Sequence, residues 1–151
     1  MEELIQKENI DVNVKAKHWE DAIRKAGQLL IDSKRIDETY VNNMVDSVKE
    51  MGPYIVLTHG FALAHAAPSE KDVYVPSVSL VTLEEPIKFG SPNDPVKVVM
   101  CLACKDKATH MDLLSKIAHK LMKADFIESI SNCSSKDELY NAINEERGGK
   151  K

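Results

Sequence analysis

Histidines are the residues of this chain best suited to chemistry at neutral pH, and the sequence contains five of them. An imidazole has an ordinary pKa of about 6.5 and offers a nucleophilic nitrogen. His65 stands out because it lies in the segment GFALAHAAPSE, where small neighbours let another surface come close. The pattern leaves two interpretations open: a reactive histidine, or a loop or core histidine whose ring is satisfied by a hydrogen bond.

His110 is the second candidate. Thr109 is predicted to cap a helix that runs to about Lys123, which makes His110 its first helical residue. Helical spacing then places His110 on one apolar stripe, facing the rest of the fold, with Leu114, Ile117 and Leu121. Free N–H groups and the helix dipole favour an anion at this end and disfavour a charged imidazole. A neutral His110 could therefore donate an N–H to a phosphate or a phosphorylated neighbour, although a plain buried histidine fits the pattern too.

The other three histidines are weaker candidates. His59 follows the segment YIVLT, where it either ends a strand or joins a histidine cluster. His119 lies off the apolar stripe of the predicted helix and should face water. For His18, beside Trp19 at the start of another predicted helix, a surface or packing role is expected.

Cys101 and Cys104 form a C-x-x-C pattern, which can be redox-active or half of a zinc site. Here the pattern lies inside VKVVMCLAC, which reads as a strand. Residues three apart on a strand point to opposite faces, so the two thiols should not meet. We expect both cysteines to behave as small core residues.

The elements that must position these residues alternate between strands and helices. Strands are predicted at 10–16, 54–58, 78–83, 96–104 and 126–130, and the apolar 96–104 should be central. Helices are predicted from Trp19 to about Leu30, from about Asp37 to Met51, from Thr109 to about Lys123, and after a capping box that begins at Ser135. The pattern predicts an α/β fold, a mixed β-sheet flanked by α-helices.

Length and composition favour an ordinary globular domain. The 151 residues fit one domain at 1–144, followed by a charged, glycine-rich tail at 145–151 that we expect to be disordered. A net charge of −4 argues against a nucleic-acid partner. Three cysteines form no disulfide framework, no apolar run reaches the roughly 18 residues of a membrane span, and the opening MEELIQKENI lacks a secretory pattern. These features predict a cytoplasmic protein.

Several ordered motifs resemble a known family. They are GPYIV at 52–56, GFALAHAAP at 60–68, PIKFG at 86–90 and ATHMDLLSKIAHKL at 108–121. Together they resemble the enzyme IIA components of the mannitol/fructose class of the bacterial phosphoenolpyruvate-dependent sugar phosphotransferase system, most closely the ascorbate-type branch. The resemblance covers roughly residues 15 to 143.

The resemblance implies a fold, a reaction and partners. The fold is a mixed sheet flanked by helices. His65 occupies the position of the family's phosphate-carrying histidine, and His110 that of a second histidine beside it. The phosphate would come from the phosphocarrier protein HPr and pass to an enzyme IIB, with a membrane permease involved only indirectly and no metal or cofactor required. The sugar favoured is ascorbate or a pentitol-like compound.

The chain departs from the family's pattern at three places. Ala64 replaces the usual proline before the active histidine, Ala67 replaces a frequent arginine, and Lys71-Asp72 stands where glycine is common. Loss of proline should make the segment less rigid, and loss of arginine removes one contact to a phosphate.

Two other functions remain open. A regulatory module phosphorylated on the same histidine would have the same sequence pattern. A metal-dependent hydrolase could use His59, His65 and His110 as ligands, with Asp106 or Glu70 as a carboxylate, although no spaced metal-binding motif supports it.

Overall fold

A five-stranded mixed sheet forms the centre of the fold. The structure, a computed structural model, describes residues 3–144. In chain order the strands are β1 (Ile10–Val14), β2 (Val56–Thr58), β3 (Phe61–His65), β4 (Ser77–Ile87) and β5 (Val96–Ala103). Their spatial order is β1-β4-β5-β3-β2, in which β1 is parallel to β4, β3 is parallel to β5, and the other two pairs are antiparallel. The prediction of a mixed sheet with a central 96–104 strand is confirmed.

Helices cover both faces of this sheet, as predicted. They are α1 (Trp19–Asp32), α2 (Glu38–Met51), α3 (Lys107–Leu121), α4 (Phe126–Ser131) and α5 (Lys136–Asn144), and a short 3₁₀ helix, Lys7–Asn9, precedes β1. Helices α1 and α2 bury their apolar stripes on one face, and α3, α4 and α5 cover the other. Cys101 packs into the first core and Cys104 into the second, so the C-x-x-C pair points to opposite faces.

The first two helices begin and end at residues with the expected chemistry. The Asp37 side chain accepts the Thr39 N–H at 3.0 Å and caps α2. Gly52, with φ of 87°, ends the same helix in a conformation that favours glycine. At the start of α1 the ring of His18 accepts the Asp21 N–H at 3.3 Å, which assigns this histidine a structural role.

Strand β3 covers the first part of GFALAHAAPSE, a segment for which the sequence predicted no strand. Its residues pair with β5 on one side and with β2 on the other, and both faces are covered. Ala62 and Ala64 belong to the core on the face covered by α1 and α2, while Phe61 and Leu63 pack on the opposite face. The small side chains before His65 are therefore buried core residues.

The prediction of a strand at 126–130 is wrong, because this segment forms helix α4. Phe126, Ile127 and Ile130 pack into the second core, and their spacing suits one face of a helix. A short apolar run is compatible with a strand or a helix, and here packing against the neighbouring helices favours the helix.

Helix α5 begins near the predicted capping box, with a different arrangement of bonds. The Ser135 hydroxyl accepts the Glu138 N–H at 3.1 Å, whereas the Glu138 carboxylate accepts from Ser134. The tail predicted at 145–151 lies outside the described residues. Within residues 3–144, no helix is both long and apolar enough to cross a membrane.

Candidate functional site

His65 and the start of α3 meet at one end of the sheet. His65 is the last residue of β3 and pairs with Leu102, near the end of the parallel strand β5. The chain leaves β5 at Ala103 and enters α3 at Lys107, so the first turns of that helix lie over the same end of the sheet. Adjacent parallel strands thus bring His65 and His110 together from distant parts of the sequence.

The position of His65 on β3 decides which way its ring points. Side chains alternate along a strand, so His65 shares a face with Phe61 and Leu63, which is the face covered by α3. Its Nδ1 lies 2.9 Å from the Leu63 carbonyl oxygen. A carbonyl can only accept, so Nδ1 carries the proton in this bond. In the neutral ring the free lone pair therefore lies on Nε2.

The ring of His110 lies beside that of His65. Their centroids are 5.8 Å apart and their planes are tilted by 54°. The His110 Nδ1 is fully buried and, among residues 3–144, has no hydrogen-bond partner. Burial lowers the pKa of His110, and the neighbouring His65 lowers it further. His110 is thus a neutral imidazole with one unsatisfied ring nitrogen next to the candidate nucleophile.

The start of α3 differs from the prediction. Asp106 caps the helix instead of Thr109, and its carboxylate accepts the Thr109 N–H at 2.7 Å. His110 is therefore the fourth helical residue, and its own N–H bonds the Asp106 carbonyl at 3.2 Å. Hydrogen bonds from this N-terminus lower the pKa of Asp106. A carboxylate therefore already caps the helix end where the sequence suggested a phosphate.

Tyr54 also belongs to the site, although the sequence predicted it to lie in a strand. It lies in the turn before β2, and its ring meets that of His65 edge to face, with centroids 5.5 Å apart and planes at 85°. Its side chain is 39% exposed. Gly52 ends α2 just ahead of it, and the pairing of β2 with β3 brings the turn beside His65.

Tyr40 lies behind the site and is fully buried. Its hydroxyl accepts the Ala66 N–H at 3.1 Å and lies 3.0 Å from the Leu102 carbonyl oxygen. Burial raises the pKa of Tyr40 well above its ordinary value, so the hydroxyl keeps its proton. Tyr40 lies on the buried face of α2, and nothing in its local sequence indicates these contacts.

The remaining histidines lie outside the site. His59 occupies the turn between β2 and β3, at the opposite end of β3 from His65, and is exposed. A five-residue strand spans roughly 13 Å, so His59 cannot join the other two on one metal ion. Within residues 3–144, no group of three or more histidine, cysteine, aspartate or glutamate side chains could hold a metal ion. The three-histidine hydrolase is therefore wrong on geometry.

The three departures from the motif fall in different surroundings. Ala64 is buried inside β3, where it pairs with Cys101. Ala67 is exposed just beyond the strand. Asp72 is buried, accepts the Asp37 N–H through its carbonyl at 3.0 Å and bonds the Ser69 hydroxyl. The segment after His65 is thus tied to neighbouring elements, and the expectation that it is less rigid without proline stays a prediction.

Comparison with known proteins gives a consistent result. A sequence model of the family described as "Phosphoenolpyruvate-dependent sugar phosphotransferase system, EIIA 2" matches residues 3–146. The chain is 28% identical over 142 residues to the ascorbate-specific PTS system EIIA component of Escherichia coli (strain K12), which covers 93% of this chain and 92% of that protein.

Solved structures agree with the sequence comparison. The mannitol-specific cryptic phosphotransferase enzyme IIA from Escherichia coli superposes with a TM-score of 0.85 at 28% identity, over 95% of this chain and 97% of that one. The mannitol enzyme IIA in a complex with phosphorylated enzyme IIB, also from Escherichia coli, gives a TM-score of 0.80 at 25% identity, over 92% and 96% of the two chains.

Proposed function

Because the chain belongs to the EIIA 2 family of the phosphoenolpyruvate-dependent sugar phosphotransferase system, we propose that it is a phosphocarrier that accepts a phosphoryl group from phospho-HPr on His65 and passes it to an enzyme IIB. The observation that carries this proposal is the pairing of two imidazoles at the end of β3 and β5. The Nδ1 of His65 is bound to a backbone carbonyl, which leaves its Nε2 lone pair free, and the His110 ring beside it has a buried Nδ1 with no partner in the described part of the chain.

The Nδ1–H bond to Leu63 leaves the Nε2 lone pair free and so supports Nε2 as the reacting nitrogen. In the transfer, the Nε2 lone pair attacks the phosphorus of the donor's phosphohistidine, a new N–P bond forms, and the donor's N–P bond breaks. The electron pair of the broken bond stays on the donor imidazole. His65 needs to release no proton, because the Nδ1–H remains bonded to Leu63 throughout. Catalysis then depends mostly on alignment of the two nitrogens with the phosphorus.

His110 contributes a neutral donor to the transferred group. Its lowered pKa keeps the ring uncharged near neutral pH, so one nitrogen carries a proton and the other a lone pair. With the proton on the buried Nδ1, the ring would donate to an equatorial oxygen of the phosphoryl group. That bond would satisfy a nitrogen that has no hydrogen-bond partner among residues 3–144.

The protein donor and acceptor would dock over this same end of the sheet. Two exposed apolar residues flank the histidines there: Tyr54 touches the His65 ring, and Met111, 56% exposed, follows His110. Apolar contacts would supply affinity, while surrounding charges set the encounter rate. Chemical-shift mapping with HPr should perturb residues around Tyr54 and Met111. Perturbations confined to the face that carries His119 would contradict this docking mode.

The sugar pathway is inferred from the relatives. The ascorbate-specific relative, together with the GPYIV and PIKFG segments, supports ascorbate or a pentitol-like compound as the transported substrate. A structural relative forms a complex with phosphorylated enzyme IIB, which supports an enzyme IIB as the acceptor here. A regulatory module phosphorylated on the same histidine is the alternative, and it differs in having no onward transfer.

One experiment tests the carrier and the alternative together. The purified chain is incubated with phosphoenolpyruvate, enzyme I and HPr, and its intact mass is measured before and after an enzyme IIB is added. A carrier gains one acid-labile phosphate and loses it to the enzyme IIB. A regulatory module gains the phosphate and keeps it, and absence of any uptake contradicts both functions.

A further inference from the structure

We propose that the buried hydroxyl of Tyr40 is a positioning group for phosphoryl transfer: it takes the place of a backbone hydrogen bond beside His65 and so fixes where the reactive ring stands. This inference rests on the proposed function, since it concerns the alignment of the same histidine. Tyr40 itself is fully buried on α2, in the core on the opposite face of the sheet from the one that His65 shares with Phe61 and Leu63.

The backbone bonds of β3 show which group the hydroxyl replaces. The Leu63 N–H donates to the Ile55 carbonyl at 2.9 Å, towards β2. Because N–H directions alternate along a strand, the Ala66 N–H points the other way, towards β5. His65 pairs with Leu102 of β5, so the Leu102 carbonyl is the neighbouring acceptor on that strand.

Immediately after the His65–Leu102 pair, the Tyr40 side chain lies between β3 and β5. The Ala66 N–H donates to the Tyr40 oxygen at 3.1 Å, and the Tyr40 O–H donates to the Leu102 carbonyl at 3.0 Å or to the Ala66 carbonyl at 3.1 Å. The hydroxyl therefore links β3 to β5 immediately after the His65–Leu102 pair. A link through an inserted oxygen is longer than a direct N–H···O bond, so it holds the strand ends apart there.

Removal of the hydroxyl alone would change this spacing. In Tyr40→Phe the aromatic ring still fills the core, but the buried Ala66 N–H and Leu102 carbonyl lose their shared partner. These two groups can instead form a direct hydrogen bond with each other. That bond draws the end of β3 towards β5 and moves the His65 backbone. A small displacement of a reacting group is enough to slow a reaction that depends on alignment with a protein donor.

The test compares a protein donor with a small chemical donor. With phospho-HPr, Tyr40→Phe should lower kcat about tenfold to a hundredfold and leave KM within about twofold, since the docking surface is unchanged. With phosphoramidate, which is free to approach the ring from any direction, the rate of His65 phosphorylation should stay within about twofold of the wild-type rate. Tyr140→Phe is the matched control, because it loses a hydroxyl on α5, beside β1 at the far edge of the sheet.

Each outcome decides the proposal. An unchanged kcat with phospho-HPr overturns it, and so does an equal loss with both donors, which would point to general damage to the fold. If Tyr40→Phe does not fold, 3,5-difluorotyrosine is placed at position 40, where the weaker acceptor should lower kcat at least about twofold at unchanged KM. An unchanged kcat in that protein overturns the proposal as well. A wild-type chain that takes no phosphate from phospho-HPr refutes the proposed function itself, and with it the role of Tyr40.

Discussion

The ring of His110 lies 5.8 Å from the ring of His65, although the two residues belong to a helix and a strand in different parts of the chain. The buried Nδ1 of His110 has no partner among the described residues, and the Nδ1 of His65 is bound to its own strand. This arrangement is the basis for the proposal that His110 donates a hydrogen bond to a phosphoryl group on the remaining nitrogen of His65.

Replacement of His65 should abolish phosphate uptake while the fold is kept. His65 is only partly buried at the end of a strand, so His65→Gln removes the nucleophile without emptying core volume. Intact mass after incubation with phospho-HPr should show no added phosphate. His119→Gln, an exposed substitution on α3, should react like the wild-type chain. An acid-labile phosphate on His65→Gln would mean that another histidine, with His59 next in order, carries the group.

Replacement of His110 should separate uptake from onward transfer. His110→Ala leaves the His65 nucleophile in place, so the chain should still take up one phosphate. Transfer to the enzyme IIB should slow by about 10² or more, because one donor to the developing charge is lost. Rapid-quench measurement of the two half-reactions checks this, with His119→Ala as the control on the same helix. Unchanged transfer would contradict the donor role even though the rings are adjacent.

Acid should destabilise the protein through His110. The pKa of this group is below its ordinary value of 6.5 in the folded chain, because of burial and the nearby His65. Above pH 6.5 both folded and unfolded chains are neutral at this residue. Below pH 6.5 the unfolded chain binds a proton at this residue, and the folded chain resists doing so. The free energy of unfolding therefore decreases as the pH is lowered, until the pH passes the pKa of His110 in the folded chain.

Denaturant titrations of His110→Gln across that range measure this effect. The variant should lose less stability than the wild-type chain as the pH falls from 6.5, whereas His119→Gln should follow the wild-type curve. If the free energy of unfolding of His110→Gln fell with decreasing pH as steeply as that of the wild-type chain, the buried ring would contribute nothing to the acid response. Phosphorylation of His65 should act in the opposite direction and raise the pKa of His110, because a nearby anion favours the imidazolium.

Tyr54 should matter through its ring more than through its hydroxyl. The edge-to-face contact restricts the orientation of His65, and aromatic contacts of this kind contribute about 0.5–1.5 kcal/mol. Tyr54→Ala should slow phosphate uptake from phospho-HPr by several-fold to about tenfold, and Tyr54→Phe should stay close to the wild-type rate. Equal losses in the two variants would place the function of this residue in the hydroxyl instead.

The sequence alone determined the architecture and the identity of the candidate histidines. The spacing of apolar residues within a single segment identified α1 and α2 as helices and β5 as a buried strand, because each pattern depends only on residues close in the sequence. The small-residue setting of His65 and the position of His110 on the apolar stripe of α3 likewise lie within single segments. The resemblance to a family then came from motifs that are ordered along the chain.

Tertiary structure decided what depends on packing between segments. Segment 126–130 is a helix because α3 and α5 surround it, and β3 is a strand because β2 and β5 bond it on both sides. The cap at Asp106 replaced the one predicted at Thr109, since several residues near a helix start can supply the same oxygen. The contacts of Tyr54 and Tyr40 with the site could not be predicted, because hydrogen bonds and ring contacts between distant residues leave no periodicity in the sequence. The pairing of β3 with β5 placed the Tyr40 hydroxyl and the two histidine rings at the same end of the sheet, and the pairing of β2 with β3 placed the exposed ring of Tyr54 beside them.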